Sequence, residues 1–203
     1  MKQAIKFGVI VATLAICTMN CAAKKAPPDP KFTSIQNISV LPILDARPGE
    51  NAKVNLQRLQ NSVVWTLKQK HYPVSASDTT GGSGQIDVDD LESANPAVIK
   101  KLGPASDRWV MIVLVNDVHS KINYASSITL GIGGSKGNAL ISGYLFDKQD
   151  GSLVWKGKGT GIAGQGGLAS WGMTSKGMMN NGALDSAVRT LFSTMPNLPK
   201  PNK

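Results

Sequence analysis

Cysteine is nearly absent from this chain. Only Cys17 and Cys21 occur among its 203 residues, and both lie within the first twenty-five. The rest of the chain therefore forms no disulfide and no cysteine-ligated zinc or iron–sulfur site. Histidine is also scarce, with two residues, and acidic residues number 13 against 22 basic ones, giving a net charge of +9. These shortages argue against thiol chemistry and histidine-rich metal sites, and they indicate a basic surface.

The first residues of the chain have the pattern of a secretory signal. Lys2 and Lys6 precede an apolar run at 7–16, which is shorter than the roughly 20 apolar residues that a membrane-spanning helix needs. Cys21 stands where cleavage is expected. This arrangement resembles a bacterial lipoprotein signal, in which the cysteine becomes the lipidated first residue. Ordinary cleavage near Ala22 and an uncleaved anchor are the alternatives.

The chain accordingly divides into three parts: a signal peptide at 1–20, a lipidated proline-rich tether at 21–33 and a periplasmic domain at 34–200. About 170 residues after the leader suit one domain. The lysines are scattered, as on a solvated surface, and a secretory leader argues against a nucleic-acid partner. Attraction to anionic lipid head groups or to an acidic envelope polymer stays open.

Hydrophobic periodicity predicts an α/β domain. Its mixed sheet has a β-α-β-α start, an antiparallel meander and a C-terminal helix. The run Trp109–Val115 is continuously apolar, which is typical of a strand buried on both faces. From Asp117 onward apolar and polar residues alternate. The other predicted elements are strands at 35–44 and 71–76, a helix at 54–70 with Asn51 as N-cap, one or two helices at 87–102 split at Pro96, a turn at 133–138, strands at 139–146 and 152–158, and a helix at 183–195.

Two stretches match known motifs in residue pattern but lack the secondary structure that those motifs need. Ser135 lies in a G-x-S-x-G pattern, but a nucleophile elbow needs a strand before the serine and a helix after it, and here an alternating strand follows. The G-x-G-x-x-G pattern at 159–164 lacks the following helix and acidic residue of a dinucleotide site. His119 beside Asp117 is interpreted as a surface histidine. The acidic cluster at 87–92 lacks the spacing of a calcium loop and suits a helix N-terminus. We predict no enzyme activity, no cofactor and no metal site.

The segment Gly157–Gly182 mixes many glycines with large apolar side chains. Glycine is costly to order, and Met and Trp recur at binding surfaces. The segment either covers the sheet as core or contacts a partner. The candidate contact residues are Trp171, Met173, Met178 and Met179.

Several stretches resemble the envelope lipoproteins of the CsgG, LpoB and TolB-N-terminal-like group. The features that carry the resemblance are Ile38-Ser-Val-Leu-Pro-Ile, the helix at 56–70 with His71-Tyr-Pro-Val, the run Trp109–Val115, the pair Leu145-Phe-Asp147 and Asp150-Gly-Ser-Leu-Val-Trp155, and Phe192-Ser-Thr-Met-Pro196.

The resemblance covers most of residues 34–196. It implies a non-enzymatic, lipid-anchored accessory module on the periplasmic face of the outer membrane, which docks onto an unknown envelope protein. Homo-oligomerisation is left open. One alternative is a CsgG-like secretion-pore subunit whose membrane hairpin spans 121–146, with Ile128, Leu130 and Ile132 facing lipid. A hydrolase using Ser135 is the remaining alternative.

Overall fold

The computed structural model describes residues 30–47, 54–79, 86–124, 133–166 and 176–200. The elements in these ranges are α1 (Pro30–Thr33), β1 (Ile38–Val40), β2 (Leu44–Asp45), α2 (Leu56–Gln69), β3 (Val74–Ala76), α3 (Val88–Glu92), α4 (Pro96–Ile99), β4 (Trp109–Tyr124), β5 (Gly133–Asp147), β6 (Ser152–Gly166), α5 (Lys176–Leu191) and a 3₁₀ turn (Phe192–Thr194).

A mixed sheet organises these elements. Its strand order is β3-β1-β4-β5-β6, and β2 pairs with β4 beyond the end of β1. The pairs β1–β3, β1–β4 and β2–β4 are parallel, whereas β4, β5 and β6 form an antiparallel meander. The predicted single α/β domain with a mixed sheet and a C-terminal helix is therefore confirmed.

The two sides of the sheet are covered differently. On one side α2 and α5 bury the larger core, which includes Leu67, Met111, Val188 and Phe192. On the other side α3 and α4 bury a smaller cluster, and this cluster ends at Leu114 on β4 and at Tyr144 on β5. Residues 110–114 are at most 1% exposed, as a strand covered on both faces requires.

Helix α2 ends in a Schellman motif, although its sequence has no glycine at the position where that motif usually carries one. His71 has a positive φ of 69°, its N–H donates to the Lys68 carbonyl, and the Tyr72 N–H donates to the Leu67 carbonyl. These two bonds define a Schellman motif, usually built with glycine at the left-handed position. His71 therefore terminates the helix through its backbone conformation.

The C-terminal tail is fastened to this same helix end. The Tyr72 hydroxyl donates to the Pro196 carbonyl at 2.8 Å, and Lys70 Nζ donates to the Met195 carbonyl at 2.7 Å. The Leu198 N–H donates to the Lys70 carbonyl at 2.9 Å. Side-chain and backbone bonds thus join two regions about 125 residues apart.

The start of α2 and the turn at 133–138 were predicted wrongly. Helix α2 is capped by Asn55, whose side chain accepts from the Arg58 N–H at 2.9 Å, and not by Asn51. The predicted turn at 133–138 is strand in the structure, paired with both neighbours. Glycine-rich sequence suggested a turn there, but pairing on both sides keeps the backbone extended.

The C-terminal helix begins at Lys176, seven residues before the predicted start, despite two glycines and two asparagines of low helix propensity. Packing against the sheet explains this. Glycines of β5 and β6 lie directly under the helix, and a Cβ added at Gly161 would overlap the Ala183 carbonyl oxygen. A Cβ at Gly137 would come within 2.6 Å of the Met179 carbonyl oxygen. The glycines therefore let α5 approach the sheet closely.

Candidate functional site

A groove between α2 and α5 contains an exposed tryptophan. Its volume is about 240 Å³, and Trp65 is 59% exposed although the same helix buries Leu59, Val63 and Leu67. Trp65 stands away from that apolar stripe, so its ring adds little to the core. The groove is lined by Ser62, Trp65, Thr66, Asp185 and Arg189.

Charged groups frame this groove. Arg58 on α2 and Asp185 on α5 form an ion pair with an Nη2–Oδ2 distance of 2.6 Å, and they join the two helices at the surface. Arg189 lies one helical turn further along α5 and is exposed. The groove thus offers a large apolar ring beside an acid–base pair and a further guanidinium. Trp and Arg are the residue types most enriched at energetic centres of protein interfaces.

A second surface lies on the opposite side of the sheet, beyond the end of the α3–α4 layer. We call it the open sheet face. It consists of side chains of the three meander strands, which the pairing register places in successive rows: Asp117, Leu140 and Thr160; His119, Asn138 and Ile162; Lys121, Lys136 and Gly164. Ile162 is 62% exposed. Lys156 and Lys158 continue this face along β6 toward the α3–α4 layer.

A polar chain crosses the open sheet face through His119. Its Nδ1 lies 2.9 Å from Asp117 Oδ2, and its Nε2 lies 3.1 Å from Asn138 Nδ2. An amide that donates to Nε2 leaves the ring proton on Nδ1, where it donates to the carboxylate. The prediction of an exposed histidine beside Asp117 is confirmed, and the pair is also hydrogen-bonded.

The boundary between the covered and open halves of this side carries a second ion pair. Glu92 Oε1 accepts from Lys156 Nζ at 3.1 Å and from the Tyr144 hydroxyl at 3.0 Å. The Lys156 bond, followed by the Tyr144 bond, holds the pKa of Glu92 below its ordinary value, and the charge of Lys158 adds to this effect. Burial, and then the bond to Glu92, raises the pKa of Tyr144 to about 12.

Ser135 does not occur in the surroundings of a nucleophile elbow. It lies within β5, which continues as strand to Asp147, whereas the elbow needs a helix directly after the serine. The pattern at 159–164 likewise lies inside β6. Among the described residues no cluster of three or more His, Cys, Asp or Glu side chains is placed to hold a metal ion, and none of the described helices is long and apolar enough to cross a membrane.

Comparisons with known proteins find similarity in structure only. No protein-family model matches the chain, and no curated protein sequence matches it. A lipoprotein from Neisseria meningitidis shares 16% identity with a TM-score of 0.44, over 70% of this chain and 89% of that one. The PelC dodecamer from Paraburkholderia phytofirmans shares 15% identity with a TM-score of 0.38, over 77% and 84% of the two chains.

The LpoB C-terminal domain from Salmonella enterica shares 12% identity with a TM-score of 0.32, over 61% of this chain and 80% of that one. Bacterial lipoproteins are thus among the structures that this chain resembles. At TM-scores below 0.5 the likeness carries no argument about function or assembly.

The residues predicted from sequence as sites fall in different places. Cys21, Trp171 and Met173 lie outside the described residues, as do Ile128, Leu130 and Ile132 of the predicted membrane hairpin. Met178 is 57% exposed near the start of α5, whereas Met179 is buried, at 7% exposed. The roles of all four candidate contact residues stay predictions.

Sequence reasoning missed Trp65 and Ile162. Both had a signal: Trp65 falls between the apolar positions of an amphipathic helix, and Ile162 breaks a strand of otherwise small or polar outward residues. A large apolar side chain on the polar face of its element was the pattern to look for.

Proposed function

We propose that this chain is a non-enzymatic lipoprotein of the bacterial envelope that docks onto a partner protein through the α2–α5 groove. The lipid is carried by Cys21, on the periplasmic face of the outer membrane. The observation that carries the docking role is the exposure of Trp65 in a groove framed by charges.

The groove favours a partner segment of particular chemistry. Burying the ring of Trp65 rewards an apolar side chain on the partner. Arg189 beside it favours an acidic residue, since guanidinium and carboxylate form paired hydrogen bonds. Asp185, the acid that lines the groove, is already paired with Arg58. The proposed occupant is therefore an apolar and acidic segment of an envelope protein.

Site-specific cross-linking tests the docking role. No cysteine follows Cys21, so in the mature protein with a lipidated Cys21 the variant Ser62→Cys provides a single free thiol for a photoactivatable reagent. Ser62 lines the groove, and the variant leaves Trp65 in place. We expect one discrete adduct in intact envelopes, identified by mass spectrometry. Ile162→Cys, on the opposite side of the sheet, is the matched control.

Two outcomes would contradict the docking role. One is the absence of any adduct at position 62 in a protein that folds and localises normally. The other is an identical set of adducts at positions 62 and 162, which would mean that the reagent reports random collisions and no bound partner.

The anchor has its own test. Mass spectrometry of the mature N-terminus should show an acylated Cys21, and Cys21→Ala should release the domain from the membrane fraction, because acyl chains anchor far more strongly than neighbouring lysines do. An unmodified terminus at Ala22 or beyond would overturn lipidation. The docking role of the groove would then still be decided by the cross-linking result.

A further inference from the structure

We propose that the open sheet face binds an acidic polysaccharide chain, laid in an extended conformation along β5 and β6. This inference rests on the envelope location in the proposed function but not on the α2–α5 groove, which lies on the other side of the sheet. The polysaccharide is a ligand additional to the protein partner.

Uncompensated positive charge is the first observation. Lys121 and Lys136 stand directly opposite each other on neighbouring strands, and like charges in that position destabilise a sheet. No ion pair joins either lysine to an acid in the part of the chain that the structure describes. Segments 125–132 and 167–175, which follow β4 and β6 in the sequence, contain no charged residue.

The only acid within these rows of the face is already engaged. Asp117 is hydrogen-bonded to His119, two rows away from the lysine pair. Lys158 on β6 is exposed and has only the more distant charge of Glu92, which Lys156 binds directly. An anionic ligand would therefore relieve repulsion that the protein itself leaves in place.

The lysines form a long, narrow strip. Lys156 pairs with Tyr144, and Lys136 lies eight residues along β5 from Tyr144, which corresponds to about 27 Å at the rise of an antiparallel strand. Three strands are only about 10 Å wide between the outer two. These proportions match an extended polymer with charges at intervals and exceed what a single small anion needs.

The shape of this side argues against a flat bilayer as the occupant. Helices α3 and α4 cover the half of this side that ends at Tyr144, and a helix layer stands about 10 Å above a sheet. A flat membrane would meet those helices before it reached Lys136. A flexible chain reaches the recessed strands without that obstacle.

The side chains between the lysines suit a sugar polymer. Asn138 and Thr160 supply amide and hydroxyl groups on this face, which exchange hydrogen bonds with sugar hydroxyls. Ile162 provides a bare apolar surface beside them, on which the C–H face of a sugar ring can lie. Lysines then pair with the acidic groups.

Binding of a soluble polyuronate tests the proposal. Full-length protein in non-ionic detergent is titrated with polygalacturonate, and neutral dextran serves as the uncharged probe. We expect polygalacturonate to bind with an affinity that falls as salt rises, and dextran not to bind. The double variant Lys121→Gln/Lys136→Gln should weaken polygalacturonate binding about tenfold, the effect of losing two exposed ion pairs.

The matched control removes two lysines elsewhere. Lys100 and Lys101 are exposed at the end of α4, away from the open sheet face. Lys100→Gln/Lys101→Gln should leave the affinity unchanged. Equal weakening by both double variants would mean that net charge alone attracts the polymer, which overturns the proposal, as would no weakening by the Lys121/Lys136 pair. A cooperative thermal transition at or above the melting temperature of the unmodified protein would show that both double variants fold.

Competition separates the polysaccharide from other anions. Poly-glutamate and glycerophosphoglycerol, the water-soluble lipid head group, are added at equal charge. We expect polygalacturonate fragments to compete best. If poly-glutamate competes equally strongly, the face binds any negatively charged chain and the polysaccharide assignment is wrong. If the head group competes equally strongly, the occupant is a lipid surface and the polysaccharide assignment is again wrong. Cross-linking at position 62 should be unaffected by the lysine variants, so failure of polysaccharide binding leaves the proposed function intact.

Discussion

The two sides of the sheet differ in how far their helices extend. On the α2–α5 side the helical layer follows the meander strands as far as Gly137 and Ala163. On the other side the α3–α4 layer stops at Leu114, and β4 continues for ten more residues. Among the described residues, β4 thus passes from a half that is covered on both sides into a half that is covered on one side only.

The change is marked on the strand itself. Between Val115 and Asp117 the pairing register shifts at a bulge, where Asn116 Nδ2 donates to Ser142 Oγ at 2.7 Å. Before the bulge the strand is continuously apolar, and after it buried Val118 alternates with exposed Asp117 and His119. Packing on both faces therefore requires apolar residues in the first part of β4. After the bulge, the exposed face of the strand can carry charged side chains.

Truncating a large side chain on each side should give the largest contrast. Phe192 is fully buried and stacks on Trp155 with ring centroids 5.5 Å apart, so Phe192→Ala should destabilise the protein by about 3–5 kcal/mol. Ile162→Ala on the open sheet face should change stability by less than about 0.5 kcal/mol. Chemical denaturation of both variants measures the difference.

A large loss of stability from Ile162→Ala would mean that a part of the protein covers the open sheet face. The two sides of the sheet would then not differ in the way described. A small loss from Phe192→Ala would mean that α5 contributes little to the core.

Glycine substitution on each side of β6 gives a smaller contrast. Gly161 faces α5, where an added methyl group meets the backbone oxygen of Ala183, so Gly161→Ala should cost about 1–3 kcal/mol as the helix is pushed away. Gly164 is exposed on the open sheet face and has no positive φ, so Gly164→Ala should be close to neutral. Thermal melting compares the pair, and equal shifts would refute close packing of α5 as the reason for the glycines.

Alkaline pH should give the smallest effect, at the boundary between covered and open halves. The pKa of Tyr144 rises from 10.0 to about 12 on folding. A raised folded pKa contributes stability that is fully present below pH 10 and is lost as pH rises toward 12. Tyr144→Phe should therefore make the fall in melting temperature over that interval less steep.

Buried Tyr72 also has a raised pKa, so part of the alkaline slope remains in the Tyr144→Phe variant. An unchanged slope, measured together with absorbance titration of the tyrosines, would show that Tyr144 ionises as freely in the folded protein as in the unfolded chain.

Sequence patterns predicted the elements whose periodicity is strong. The apolar face of α2, the helical character of 87–102, the buried run of β4 and the alternation after Asp117 are all confirmed. Of the two alternatives at 87–102, the structure has two short helices divided at Pro96. These elements have apolar residues that recur with one period, and burial follows that period directly.

Glycine-rich elements were missed because their reason lies in another part of the chain. Local preference favours a turn at 133–138 and a strand that ends at 158, where further glycines follow, since glycine weakens strands. In the structure β6 instead continues to Gly166. In the structure these glycines make room for α5, a contact that no single-chain pattern displays. The α2–α5 groove was missed likewise, because it needs Trp65 and Asp185 to meet from helices about 120 residues apart.

The bonds between the tail and α2 also bear on how the chain folds during synthesis. The meander pairs strands that follow one another in sequence, whereas the parallel strands and the tail depend on distant partners, and such long-range contacts slow folding. Met195 and Pro196 bond to residues of the α2 end that precede them by more than 120 positions. A nascent chain that has grown only as far as the meander therefore lacks these bonds, and the end of α2 gains them only once residues 195–198 have emerged.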